Sequence, residues 1–209
     1  MSDVFEQVEG PAIDWVAVLR EATGEDDQAT ARRAAMHLIA PVRAEVMVTV
    51  GSVGRLIRWS MTGRETLTVS QPLAEVDGRV AAAGTPTARF GVMEDGWAAM
   101  AALIPPGTSF GVTEPGPASN DAEVAVPIQM LLNGQEQGNL QLRVEAWATP
   151  EQPARMWGGW WVSVDDQLYQ LRRRGEDWVG LVRPAGSVAA EFTWAITGAI
   201  DLLRSSAGE

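Results

Sequence analysis

Val46-Met47-Val48-Thr49-Val50 sets valine at every second position, the period of two expected of a β-strand covered on one face. Gly51-Ser52-Val53-Gly54 and Thr62-Gly63-Arg64 then read as hairpin connections to Leu56-Ile57-Arg58-Trp59 and Thr66-Leu67-Thr68-Val69. The economical reading is a meander of short antiparallel strands. It closes on Gly96-Trp97-Ala98-Ala99-Met100-Ala101-Ala102-Leu103-Ile104, a helix-forming run stopped by Pro105-Pro106. The second half repeats the pattern. There Leu140-Gln141-Leu142-Arg143-Val144, Trp160-Trp161-Val162-Ser163-Val164, Leu168-Tyr169-Gln170-Leu171 and Trp178-Val179-Gly180-Leu181-Val182 precede a helix through Phe192-Thr193-Trp194-Ala195-Ile196. Identity between the halves is slight, so what repeats is the pattern. The expected fold class is α+β, built of two pseudo-repeated units of antiparallel sheet plus helix.

Working outward, Ile13, Trp15, Val16, Val18 and Leu19 form an apolar stripe ending near Thr23-Gly24, and an alanine-rich stretch from Ala29 to Ala40 meets Pro41. Two helices therefore precede the first strand. Pro105-Pro106-Gly107 through Asn120-Asp121 is dense in Pro, Gly and Ser and divides the chain into residues 1–106, a linker or loop at 107–123, and residues 124–209. Asn133-Gly134, between Val124–Leu132 and Leu140–Trp147, is a hairpin signal that Gln135–Asn139 lengthens into a bulged or extended loop. Asp165-Asp166-Gln167 and Arg174-Gly175-Glu176-Asp177 divide the later strands. Ser187 is placed to cap a final helix whose Val188, Phe192, Ile196, Ala199 and Leu203 share one face.

Composition removes several function classes. With 209 residues and 46% hydrophobic content the chain can bury a core. It has no cysteine, hence no disulfide, thiolate metal site or cysteine nucleophile, and all sixteen basic residues are Arg, hence no Schiff-base lysine or P-loop lysine. A lysine-free chain rich in Ala, Gly, Val and Arg matches the usage of GC-rich genomes such as those of actinobacteria. A net charge of −11 disfavours nucleic acid, and Arg172-Arg173-Arg174, followed by Gly175-Glu176-Asp177, reads as a solvated hairpin end. No window approaches the ~20 apolar residues of a membrane span. The start, Met1-Ser2-Asp3-Val4-Phe5-Glu6, lacks a signal-peptide pattern, so the expected location is cytoplasmic.

The chemistry-bearing residues are few. His37 is the only histidine, set between Met36 and Leu38 on the second helix, and reads as structural. Glu94-Asp95 stands before a helix and Asp165-Asp166 in a turn, where each has a complete local explanation. No catalytic residue, metal ligand or cofactor-binding residue is assigned, and the expectation is a protein that is not an enzyme. Of the nine tryptophans, Trp15, Trp97, Trp178 and Trp194 lie in apolar patterns and read as core. Trp160 and Trp161 are adjacent in one strand and point to opposite faces, so either both faces are covered or one indole is exposed to a partner. Arg55, Arg58 and Trp59 form a comparable surface candidate. The residues assigned to partner binding are Arg55, Arg58, Trp59, Trp157, Trp160, Trp161 and Tyr169.

Four stretches taken together resemble the EspG family of cytosolic chaperones of type VII (ESX) secretion. They are Ala34–Pro41 leading into Val46–Val50, the first meander, the helix Trp97–Ile104 ending at Pro105, and Gly175–Ala185 before an amphipathic terminal helix. The resemblance runs from about residue 28 to 205 and rests on hydrophobicity and turn patterns. The chain is shorter than that family's pattern at its N-terminus and in the linker after Pro105. What the resemblance implies is a pseudo-two-fold α+β fold and a non-enzymatic chaperone or adaptor that holds a helical secretion substrate soluble. The rival expectations are a small-molecule or lipid carrier with a Trp-lined pocket, and a structural homo-oligomer.

Overall fold

The computed structural model describes residues 13–23, 28–76, 79–114, 124–149 and 153–206. Two short helices, α1 (Trp15–Thr23) and α2 (Gln28–Met36), precede five strands: β1 (Val42–Val50), β2 (Val53–Thr62), β3 (Glu65–Val76), β4 (Arg79–Ala82) and β5 (Thr87–Val92). Helix α3 (Gly96–Ala101) ends this half. The second half comprises β6 (Ala125–Pro127), a one-turn helix α4 (Ile128–Leu131), β7 (Glu136–Ala146), β8 (Arg155–Val164), β9 (Gln167–Arg174), β10 (Asp177–Arg183) and the long α5 (Ser187–Ser206). The fold is α+β. Its described strands form one antiparallel sheet in the order β4-β3-β2-β1-β7-β8-β9-β10-β6, with β5 beside β4 on the outer edge of β3.

The sheet is built from the middle outward. β1 pairs with β2 on one side and β7 on the other, in a register that sets Val46 opposite both Ile57 and Leu142. Tight turns set the register at four hairpins. Gly51, Gly63 and Gly175 take positive φ at 55°, 63° and 64°, and the β8–β9 turn places Asp165 and Asp166 at 50° and 63°. Asp tolerates that conformation better than most residues, and here the turn is tied to the start of β7. The Gln135 N–H donates to Asp165 Oδ1 at 3.1 Å, and the Asp166 N–H to Gln137 Oε1 at 2.9 Å.

Val42, Ala44, Val46 and Val48 of β1 and Leu140, Leu142, Val144 and Ala146 of β7 point to one face, which α3 and α5 cover. Trp59 packs edge-on to Phe192 of α5 with centroids 5.6 Å apart, and Trp97 of α3 meets the same ring at 5.4 Å. Gly96 permits that approach: a Cβ there would stand 3.3 Å from the Trp59 ring. Burial of such side chains is the main stabilising term, roughly 1.5–3 kcal/mol each. Residues of both halves contribute to this core.

Several expectations are corrected. Val124–Leu132 does not pair with β7 across Asn133-Gly134: three of its residues pair with β10, and the next four form α4. Gly134 instead serves close packing, since a Cβ there would stand 2.3 Å from Val164 Cγ1. Ser187 does not cap α5 with its hydroxyl, because the helix already includes it and its buried Oγ has no partner among the described residues. Trp194 is 61% exposed, about half a turn from the stripe of Val188, Phe192 and Ile196 that meets the sheet. The segment expected as a linker begins with a buried anchor, Phe110; its residues 115–123 lie outside those described.

Candidate functional site

Alternation gives each strand a second face. On β1 it carries Arg43, Glu45, Met47 and Thr49; on β7, Gln141, Arg143 and Glu145; on β2, Leu56, Arg58 and Ser60; on β8, Met156, Gly158, Trp160 and Val162. Among the described residues no long helix covers this face. Two small buttresses occupy its diagonally opposite corners. At one, α1 and α2 lay Val18, Leu19 and Ala34 on Leu67 and Val69 of β3. At the other, α4 lays Ile128 and Leu131 on Val162, Val164 and Leu171, beside Trp160, Tyr169 and Trp178.

His37 ties the first buttress down. It follows α2 in a single 3-10 turn and is buried, with Nδ1 3.1 Å from Ser60 Oγ and Nε2 3.2 Å from Glu65 Oε1. Arg33 of α2 donates to the same carboxylate, its Nε at 2.7 Å. This hydrogen-bonded ion pair, with a smaller contribution from His37, holds the Glu65 carboxyl below its usual range. Ser60, His37 and Glu65 have the composition of a hydrolase triad. The Ser60 hydroxyl, however, is buried beneath the turn and its other neighbour is the Leu67 carbonyl, so the network ties helix to sheet.

Between the buttresses lies a partly open band centred on β1 and β7 and bounded by β2 and β8, where Leu56, Ser60 and Val162 are already buried. Three strand spacings span it, about 14 Å. One cross-strand row reads Arg58, Glu45, Arg143, Gly158 and the next Ser60, Arg43, Glu145, Met156. Arg143 bonds both carboxylates, donating from Nη2 to Glu45 Oε1 and from Nε to Glu145 Oε1, each at 3.1 Å. Trp147 Nε1 donates to Glu145 Oε2 at 2.8 Å. Arg43 and Arg58 form no ion pair among the described residues. Arg43 stacks on the Trp147 ring at 4.3 Å and Arg58 over Trp15 at 5.2 Å. Burial lowers the proton affinity of both guanidiniums, and burial raises the Glu45 carboxyl although Arg143 opposes it.

The residues assigned from sequence to one partner surface divide between the two faces. Arg55, Trp59, Trp157 and Trp161 lie on the helix-covered face; Arg58, Trp160 and Tyr169 lie on the other. Trp59 and Trp161 are 0% and 1% exposed and belong to the core, so neither offers a surface. Trp157 packs against Gly198 of α5 with Arg155 over its ring, and Arg55 donates to Ser70 Oγ at 3.3 Å. Trp160 and Tyr169 meet at the α4 buttress, while Arg58 stands across the band. The band's other residues, Arg43, Glu45, Met47, Arg143, Glu145 and Trp147, were not among those assigned. Their signal was the polar half of the strand alternation.

A cleft of about 580 Å³ lies on the opposite face, between the β2–β3 turn and the end of α5, with Met61, Met93 and Ile200 beside Arg64, Asp201 and Arg204. Among the described residues no cluster of His, Asp and Glu is placed to hold a metal, and no helix is long and apolar enough to cross a membrane. No model of a known protein family matches this chain, and no curated protein compared with it is similar in sequence.

Proposed function

We propose that this protein is a non-enzymatic, cytoplasmic chaperone or adaptor that receives a helical segment of a partner protein on the open band. The observation that carries the reading is that, among the described residues, no helix lies over the centre of an otherwise buttressed sheet face. A band about 14 Å wide accepts one helix, which with side chains is about 10–12 Å across. Partly exposed Met47 and exposed Met156 supply adaptable apolar contacts, and Trp15, Trp147 and Trp160 border the floor. The similarity to EspG-like chaperones in pattern, and a topology that runs outward from an antiparallel β1–β7 pair, support two units related by an approximate two-fold between those strands. The substrate class implied by that likeness is a helical type VII secretion substrate, kept soluble by the acidic envelope.

The test is co-purification from cells, identification of the bound protein by mass spectrometry, and reconstitution from pure components. Met47→Glu is expected to weaken the reconstituted complex at least about tenfold, while Arg204→Glu, on the opposite face, leaves it unchanged. Equal affinity for Met47→Glu and the parent would remove the band from the function. A second reading, a small-molecule carrier, rests on the cleft at Met61, Met93 and Ile200. Native mass spectrometry of the purified chain would find an apolar ligand there if that reading holds.

A further inference from the structure

The open band holds three guanidiniums, from Arg43, Arg58 and Arg143, and two carboxylates, from Glu45 and Glu145. In a chain of net charge −11 this patch carries one positive charge in excess. The distribution matters more than the sum. Arg143 makes direct ion pairs with both carboxylates; Glu45 and Glu145 also stand across the strands from Arg58 and Arg43 and attract them, but among the described residues neither of these two arginines bonds a carboxylate directly. Each is partly buried and stacked on an indole, an arrangement that orients a planar guanidinium while leaving its donors in need of an acceptor. Among the described residues Arg43 makes one hydrogen bond, its Nε to the Ala40 carbonyl at 2.9 Å. Arg43 repels the Arg58 guanidinium, Glu45 and Glu145 attract it, and burial has removed much of the water that would otherwise screen these charges.

Resting on the reading that a partner helix occupies the band, we infer that this helix carries an Asp or Glu side chain at the edge of its apolar stripe, and that its carboxylate docks between Arg43 and Arg58. Guanidinium and carboxylate match in fork geometry, and the bond is charge-assisted in a partly desolvated setting. The arginines thereby choose among helices of similar apolar character.

The probes are two amphipathic peptides of about 20 residues, long enough to be helical, identical in apolar stripe and differing only in Glu or Gln at the stripe's edge. Binding to the full chain is followed by tryptophan fluorescence and calorimetry at low and high salt. The Glu peptide is expected to bind about tenfold tighter at low salt, with the advantage shrinking at high salt. Arg58→Met should abolish that advantage without weakening the Gln peptide, and Arg58→Lys should restore part of it. Arg64→Met, distant on the other face, serves as the control. Equal binding of both peptides, or an advantage that survives in Arg58→Met, overturns the carboxylate assignment and leaves the helix-binding reading standing. Binding of neither peptide overturns both. Self-association of the chain that Arg58→Met reverses would make a second copy the occupant, and also overturns the assignment.

Discussion

The two faces of the sheet share strands, register and twist, yet one is a dry core and the other an open band of charge. On β1 the difference is a single step along the chain: Val46 is fully buried under the helices, and Glu45 beside it faces the partly open side. On the covered face, energy comes from volume filled, because α5 brings Val188, Phe192, Ile196 and Ala199 onto β1 and β7 as one continuous layer. On the open face the neighbours are guanidiniums, carboxylates and indoles, whose cross-strand pairs contribute little to stability but specify what can dock. A sheet can thus devote one side to folding and reserve the other for recognition.

The comparison breaks most sharply at the core tryptophans. Trp59→Ala or Trp161→Ala should each cost about 3–5 kcal/mol in denaturant unfolding, against under about 1 kcal/mol for Met47→Ala on the open side. Equal costs would mean that the two faces do not divide the labour as described. Next in size is Gly159→Ala on β8. The added Cβ would stand 2.4 Å from the buried Trp161 ring, so a loss of about 1–3 kcal/mol is expected from overpacking, with the helix-covered side distorted first.

The smallest effects are electrostatic and differ in sign between the buttress and the band. Glu65 has its carboxyl lowered, first by the Arg33 hydrogen bond, so its contribution is present above the ordinary carboxylate range and is lost as pH falls through its depressed value. Glu65→Gln should therefore destabilise by less than about 1 kcal/mol at neutral pH, and the difference from the parent should vanish in acid. Glu45 runs the other way. Burial raises its carboxyl, so ionisation costs stability as pH rises through the carboxylate range, and acidification relieves that cost. Glu45→Gln should remove this component from the pH profile. Melting curves of both variants between acid and neutral pH check the opposite slopes.

Much of the fold was legible because it depends on local rules. The valine alternation of residues 46–50, the hairpin connection within Gly51–Gly54, which the structure tightens to Gly51-Ser52, and the apolar stripe of Val188, Phe192 and Ile196 each describe neighbours a few residues apart. Trp160 and Trp161 were legible to the same extent: opposite faces follow from adjacency, but what covers each face does not. The structure resolves that alternative with helices over Trp161 and the small α4 cluster beside Trp160. The Val124–Leu132 segment misled because a short apolar run has no clear period, and its pairing with β10 joins residues more than fifty positions apart. Trp194 lies in an apolar run, but its angle on α5 turns it away from the stripe that meets the sheet.

The sequence alone determined the α+β class, the order of most strands and helices along the chain, the absence of cysteine and lysine chemistry, and the acidic balance. Those properties follow from composition and from periodicity within single elements. Only the tertiary structure decided that β1 and β7 lie side by side, that α3 and α5 cover one common face, and that Arg43, Glu45, Arg58, Arg143 and Glu145 form one patch. The physical reason is register. Glu45 and Arg143 are 98 residues apart, and nothing in either strand's own pattern says which partner it takes or at what offset. That choice belongs to the burial of both halves in one core, and the candidate site follows from it.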